Sequence, residues 1–356
     1  MNIRPVVGEL EPYVAGRSVP GGIKLASNEN PFGPSPKALC VIKDAAAQLH
    51  RYPDGSAASL RGALAESWNV DAATVILGNG SDEILVLLAA ALVEPGTNCV
   101  TGATTFSQYA FATRIFGGEV RTVPMPDGRF DLGSMAEHSD SDTRIVFLCN
   151  PNSPTGTIFS HDELVLLLDS VNSDTVVVVD EAYGEFVDDP AYPDTIQLLP
   201  TYPNLLRLRT FSKIYGLAGL RIGYGIGSST LIDALSRVRQ PFNVGSIAQA
   251  AALAALDDEI HYRRTLQNNL AGRERLYRFF SSRGIPFYES HANFVCAQLG
   301  RRAEEIVGKV EEKGVTIRPL ASFGLPEHVR VTVGTKEELD RFEEALESAL
   351  AAVGRE

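Results

Sequence analysis

The chain has 356 residues, 44% of them hydrophobic and 21% charged, with a formal net charge of −12. That length exceeds what one ordinary core holds, so two domains are expected, with enough buried surface to need no covalent staples. The acidic balance argues against non-specific nucleic-acid binding, which needs a basic patch, and no apolar run approaches the roughly 20 residues that cross a bilayer.

The first 35 or so residues are rich in Pro and Gly and read as an extended arm lying on another surface, such as a partner subunit. Residues 1–14 carry no long apolar stretch and no small-residue cleavage site, so no signal peptide is expected. From about residue 56 the pattern alternates. Ser59 is positioned to cap a helix running to Trp68, followed by a strand over 74–77 and a helix over 82–92. Strand-like runs at 98–101 and 119–123 flank a helical pattern over 107–116. A strand over 144–149, a helix over 161–169 and a strand over 175–180 follow. The last of these contains four consecutive valines, a β-branched run without alternation that suits a strand buried on both faces. Further strands are predicted at 205–210 and 222–226. This alternation predicts an α/β fold in which a mostly parallel sheet lies between helices.

After about residue 240 the character changes. Helical patterns over 249–256, 259–282, 301–313 and 336–351 are interspersed with short strands at 294–297, 315–318 and 329–333. The expected organisation is an N-terminal arm over 1–30 packing with the small domain, a large domain over 31–243 and a smaller α+β domain over 244–356.

The chemistry concentrates where strands end. Lys213 lies in Thr210-Phe211-Ser212-Lys213, just past an apolar strand and ahead of a Gly-rich turn that leads to Arg221. In parallel sheets that carboxyl edge is where ligands bind. The Thr210 and Ser212 hydroxyls and the Arg221 fork suit a phosphate dianion beside the lysine. Asp180 ends the valine strand, with Tyr183 three residues on. An aspartate there is often only a helix cap, but it can also hold a protonated ring nitrogen. Asn152 lies in Asn150-Pro151-Asn152-Ser153-Pro154-Thr155-Gly156, a rigid turn in its plainest reading. Gly80, Ser81 and Asp82 join a strand to a helix whose N–H groups and dipole suit a phosphate. Phe106 and Tyr109 follow the next strand, where an aromatic ring either packs in the core or stacks on a flat ligand. The four cysteines are scattered, with no metal spacing, and read as reduced and mostly buried thiols of a cytosolic protein. The six histidines show no catalytic grouping, and no metal site is expected.

Taken in order, GNGSDE, NPNSPTG, DEAY, SK and LAGLRIGY resemble the fold-type I, pyridoxal-phosphate-dependent aminotransferases. Within them the chain is most similar to the histidinol-phosphate aminotransferase family, with support from Asn28-Glu29-Asn30-Pro31, Arg51-Tyr52-Pro53-Asp54 and Val329-Arg330-Val331-Thr332. The likeness runs from about Leu10 to the C-terminal helix. The resemblance implies that Lys213 carries pyridoxal 5′-phosphate as a Schiff base and moves protons in a ping-pong transfer, and that Asp180 pairs with the pyridine nitrogen. It implies Tyr183 and Asn152 at the phenolic oxygen, and Gly80, Ser81, Asp82, Thr210, Ser212 and Arg221 at the phosphate. Phe106 is preferred over Tyr109 as the stacking ring, and Tyr109 falls to the substrate side with Tyr13, Asn30 and the anion clamp Arg330. Tyr52 would reach the cofactor of a second subunit, implying a homodimer in the cytoplasm.

Three departures stand out. Ser153 replaces an asparagine that many relatives carry, Thr104-Thr105 replaces a Pro-Thr or Pro-Ser pair, and Tyr13-Val14-Ala15-Gly16 replaces a Tyr-x-Pro-Gly turn. The implied reaction is L-histidinol phosphate plus 2-oxoglutarate giving imidazole acetol phosphate plus L-glutamate. The alternatives are an aromatic amino acid donor or a threonine-phosphate decarboxylase. The decarboxylase relatives tend to carry Thr and Pro where this chain has Ser212 and Ala218. A dehydrogenase is disfavoured, since no dinucleotide fingerprint follows the first strand.

Overall fold

The computed structural model describes residues 1–10 and 19–353. In chain order its strands are β1 (Ile23–Leu25), β2 (Val75–Gly78), β3 (Asn98–Gly102), β4 (Glu119–Val123), β5 (Thr143–Cys149) and β6 (Val176–Asp180). They continue as β7 (Leu205–Thr210), β8 (Gly223–Gly227), β9 (Phe294–Gln298), β10 (Val315–Pro319) and β11 (His328–Thr332). Among the described residues they form two sheets, ordered β2-β8-β7-β6-β5-β3-β4 and β1-β10-β11-β9.

In the larger sheet β4, β3, β5, β6 and β7 pair in parallel, while β8 runs antiparallel to both β7 and β2. Two cores meet at this sheet. Ile76 of β2 joins β5, β6 and the leucines of β7 in one of them, together with residues of the helices Ser81–Leu92 and His161–Ser170. Val75 and Leu77 turn the other way, to Tyr224, Ile226 and the helix Ser246–Leu256. The period-2 alternation of strand side chains makes this two-sided burial possible. The valine run of β6 is entirely buried, as a strand covered on both faces must be.

Most of the predicted elements form within a residue or two of the sequence reading. The helix His161–Ser170 starts on a capping box in which Ser160 and Glu163 satisfy each other's backbone N–H groups. The helix Ala58–Trp68 is not capped by Ser59. It begins after Ala57, and the Asp54 carboxylate accepts from the Ala58 N–H at 2.8 Å. Several helices lie where none was foreseen, and two of them run to ten residues or more. Pro36–Ala46 sits at the end of the Pro/Gly-rich stretch, with Ser35 accepting from the Ala38 N–H and Pro36 at the first helical position. Ser229–Val238 is capped by Ser228.

The N-terminal segment supplies β1, which pairs in parallel with β10 in the smaller sheet. The helix Ser246–Leu256 shares the core of Phe211, Tyr224 and Ile226 in the larger sheet. The smaller sheet has a separate core, including Phe280, Val295, Ile317 and Phe342. On this packing we propose a domain boundary just after Leu256, beyond the 243/244 position that composition suggested.

Candidate active site

The carboxyl ends of β5, β6 and β7 lie side by side, because Cys149 pairs with Asp180 and Asp180 with Leu208. Each strand delivers one polar element to this edge: the turn after Cys149, Asp180 itself, and Thr210-Phe211-Ser212-Lys213. The N-terminus of Ser81–Leu92 approaches the same edge, since Gly78 of β2 pairs with Gly223 of β8. Glycine at 223 is required for this approach, because a Cβ there would stand 2.5 Å from the Ser81 nitrogen.

Asp180 is almost fully buried. Its Oδ2 accepts from the Tyr109 hydroxyl at 2.8 Å and its Oδ1 from the Ala182 N–H at 3.1 Å. Burial pushes its carboxyl up to about 6, while the hydrogen bond from Tyr109 pulls the other way. Among the described residues no lysine, arginine or histidine forms an ion pair with it. Burial and the neighbouring Asp180 charge hold the Tyr109 phenol well above its usual range, so the shared proton stays on the tyrosine.

Lys213 projects beside these groups. Its Nζ donates to the Ser27 carbonyl at 3.4 Å and lies 5.4 Å from the centre of the Tyr183 ring. Tyr183 accepts a 2.8 Å hydrogen bond from Asn28 Nδ2. Arg330 enters from β11, with Nη1 donating to Ser153 Oγ at 3.1 Å and Nη2 to the Ala26 carbonyl at 3.0 Å.

On the other flank Arg221 pairs with Asp82 at 3.0 Å and lies directly over Gly80. Gly80 has φ +75°, and a Cβ on it would come within 2.4 Å of Arg221 Nη2. The Thr210 hydroxyl accepts from the Ser212 N–H at 3.1 Å, which folds the Ser212 and Lys213 backbone back toward this cradle. A helix N-terminus, hydroxyls and a guanidinium held together make an anion site.

Three sequence expectations change. Asn152 is fully buried, and its amide is spent: Nδ2 donates to the Thr104 carbonyl and Thr155 Oγ1, and Oδ1 accepts from Thr105 Oγ1. It builds the turn and has no N–H left for a ligand oxygen. Tyr109, expected on the substrate side, has no exposed surface and stands behind Asp180, stacked on Phe147 at 5.0 Å. Phe106 is only partly buried and stays the ring free to face a ligand. Asn30 also turns away: its Nδ2 donates to the Ile214 carbonyl at 2.7 Å and to Thr265 Oγ1 at 3.2 Å. It anchors the segment after Lys213. Tyr52 stands apart from the cluster, 83% exposed and stacked on Phe242 at 4.8 Å. Tyr13 lies outside the described residues.

Sequence reading missed the supports. Asn28 is one, although it sits in a quoted motif. Another is the buried charge cluster on the reverse side of Asp180. Glu181 Oε2 accepts from Arg207 Nε at 2.6 Å and Arg209 Nε at 2.9 Å, its Oε1 accepts from Thr195 Oγ1, and Arg207 lies over Trp68. The only signal was that Arg207 and Arg209 alternate with Leu206 and Leu208 in one strand.

The family described as aminotransferase class I and II matches residues 20–346, nearly the whole chain. The chain belongs to that family. A histidinol-phosphate aminotransferase of Symbiobacterium thermophilum is 44% identical over 98% of this chain and 99% of its own length. A histidinol-phosphate aminotransferase 2 of Pseudomonas fluorescens is 45% identical over 98% of this chain and 97% of its own. Among solved structures, the histidinol-phosphate aminotransferase of Sinorhizobium meliloti, crystallised with pyridoxal 5′-phosphate, superposes with a TM-score of 0.92 at 29% identity, covering 99% of this chain and 98% of that one. The fold is therefore that of the fold-type I aminotransferases, and the clustered strand ends of this aminotransferase are the edge at which Lys213, Asp180 and Arg221 converge. Among the described residues no helix is long and apolar enough to cross a membrane.

Proposed function

We propose that this aminotransferase binds pyridoxal 5′-phosphate on Lys213 and moves the amino group of L-histidinol phosphate to 2-oxoglutarate. Asp180 carries the cofactor assignment: a buried carboxylate, pushed up to about 6 and without a cationic partner among the described residues, fits a protonated pyridine nitrogen. The cradle of Gly80, Ser81, Arg221 and Ser212 fits the phosphate, with Asp82 orienting Arg221. Phe106 supplies a ring face, and Tyr183 a hydroxyl for the phenolic oxygen. The substrate assignment rests on relatives of that name at 44–45% identity along nearly their whole length, and on Arg330, which β11 brings to Ser153 in the turn after β5. Arginine suits a phosphate or a carboxylate equally, so one clamp serves both half-reactions.

Bound there, the cofactor supplies an aldehyde for amine exchange and an electron-withdrawing ring that acidifies the substrate's α C–H bond. Asp180 keeps the ring nitrogen protonated. With the cofactor bound, the Lys213 Nζ would serve as the base that takes the substrate's α proton and would deliver it to the carbon that carried the aldehyde. Its reach is set by Ser27 and the Tyr183 ring. Arg330, held by Ser153 and Ala26, fixes the substrate's anionic end. The exposed Tyr52–Phe242 pair supports the reading of a homodimer in which Tyr52 reaches the second subunit's phosphate. The scattered free cysteines support the reading of a cytoplasmic enzyme.

The test is spectroscopic. Protein reconstituted with the cofactor develops a visible absorbance band that Lys213→Ala lacks. L-histidinol phosphate, added without any keto acid, bleaches that band faster than phenylalanine does. No band after excess cofactor refutes the cofactor assignment. A band that phenylalanine bleaches and L-histidinol phosphate does not refutes the substrate alone.

A further inference from the structure

Three successive residues of the N-terminal segment each touch a different candidate active-site side chain. The Ala26 carbonyl accepts from Arg330, the Ser27 carbonyl from Lys213, and Asn28 donates to the Tyr183 hydroxyl. The segment follows β1 directly, so its position is set by the smaller sheet. Asn28 is 1% exposed and takes a left-handed backbone conformation, φ +57°.

The bonds around Asn28 fix which way its amide faces. The Asn28 N–H donates to Thr332 Oγ1 at 3.0 Å. Thr332 Oγ1 in turn gives its own proton to Asn28 Oδ1 at 3.2 Å. Asn293 Nδ2 donates to the Asn28 carbonyl at 3.1 Å. With Oδ1 engaged as an acceptor, Nδ2 is the atom that meets Tyr183. A phenol that accepts from an amide keeps its own proton for a different acceptor. Tyr183 sits against Phe294 on one side, with Lys213 above its ring.

We propose that Asn28 is a positioning residue: anchored on the smaller sheet through Thr332 and Asn293, it occupies the acceptor side of the Tyr183 hydroxyl and directs that hydroxyl's proton at the phenolic oxygen of the bound cofactor. This rests on the cofactor reading above. It adds a specific link, in which the placement of β1 and β11 sets the donor strength met by one cofactor oxygen.

The test compares dissociation constants from the apoprotein for pyridoxal 5′-phosphate and for its 3-deoxy analogue, which lacks the phenolic oxygen. Asn28→Gly removes the amide and keeps the backbone conformation, which glycine adopts without steric cost. It is expected to weaken pyridoxal phosphate about five- to tenfold, the worth of one well-made hydrogen bond, and to leave the analogue within about twofold. In a Tyr183→Phe background the same substitution is expected to change neither constant. Asn28→Asp, which retains the shape and the Thr332 contact but presents no N–H, is expected to give the same selective loss and serves if the glycine variant folds poorly. Equal weakening of both ligands, an undiminished effect in Tyr183→Phe, or no effect at all overturns the proposal and leaves the cofactor reading intact. Wild-type apoprotein that binds neither ligand overturns both.

Discussion

The bond between Tyr109 and Asp180 can be removed almost cleanly. Tyr109→Phe deletes one hydroxyl and leaves the ring stacked on Phe147. The lost bond is 2.8 Å long, wholly buried and made to a carboxylate. Hydrogen bonds to charged groups contribute about 1.5–3 kcal/mol, and one pKa unit corresponds to roughly 1.4 kcal/mol. The Asp180 carboxyl is therefore expected to rise by roughly one to two units above its folded value of about 6. The sign of the stability effect follows from linkage. A carboxyl raised by folding favours the folded state while protonated, and that contribution is lost as pH climbs from its unfolded value through its folded one. The variant apoprotein should accordingly lose most stability, relative to wild type, near pH 8 and much less near pH 4.5. The assay is carboxyl titration of the apoprotein by isotope-edited infrared spectroscopy, with Asp180→Asn identifying the band. A titration midpoint unchanged or lowered by Tyr109→Phe refutes the reasoning.

Asp180→Asn removes a buried charge that is uncompensated among the described residues, so the apoprotein should melt at a higher temperature at pH 8 while its affinity for pyridoxal phosphate falls; thermal scans with and without cofactor check both. Glu181→Gln leaves Arg207 buried against a neutral amide, while Arg209 keeps Glu185 at 2.9 Å, and should cost about 3–5 kcal/mol in denaturant unfolding, as breaking a buried pair does. Gly80→Ala places a methyl group against Arg221 at a left-handed backbone position. It should weaken inorganic phosphate binding to the apoprotein, measured by calorimetry, at a stability cost of about 1–2 kcal/mol.

The valine run of β6, the strand–helix alternation before residue 240 and the change of character after it are local patterns of burial. They were enough to place Lys213, Asp180, Gly80 and Arg221 at strand ends, because a side chain's distance from a strand end is written in the chain itself. The helix Pro36–Ala46 was hidden by its own neighbours, since the prolines and glycines before it read as one long arm. What the sequence could not decide is where each amide and hydroxyl sends its proton. Asn152, Asn30 and Asn28 are chemically identical side chains in similar motifs. One is spent on threonines at 105 and 155, one on the backbone at 214, and one reaches Tyr183, 155 residues away. Likewise, Arg207 and Arg209 have the alternation of an exposed strand face until Glu181 and Trp68 close over them. Periodicity reports which face of an element is buried. Hydrogen bonds are directional and saturable, and their partners come from elements far apart in sequence, so only the assembled structure assigns them.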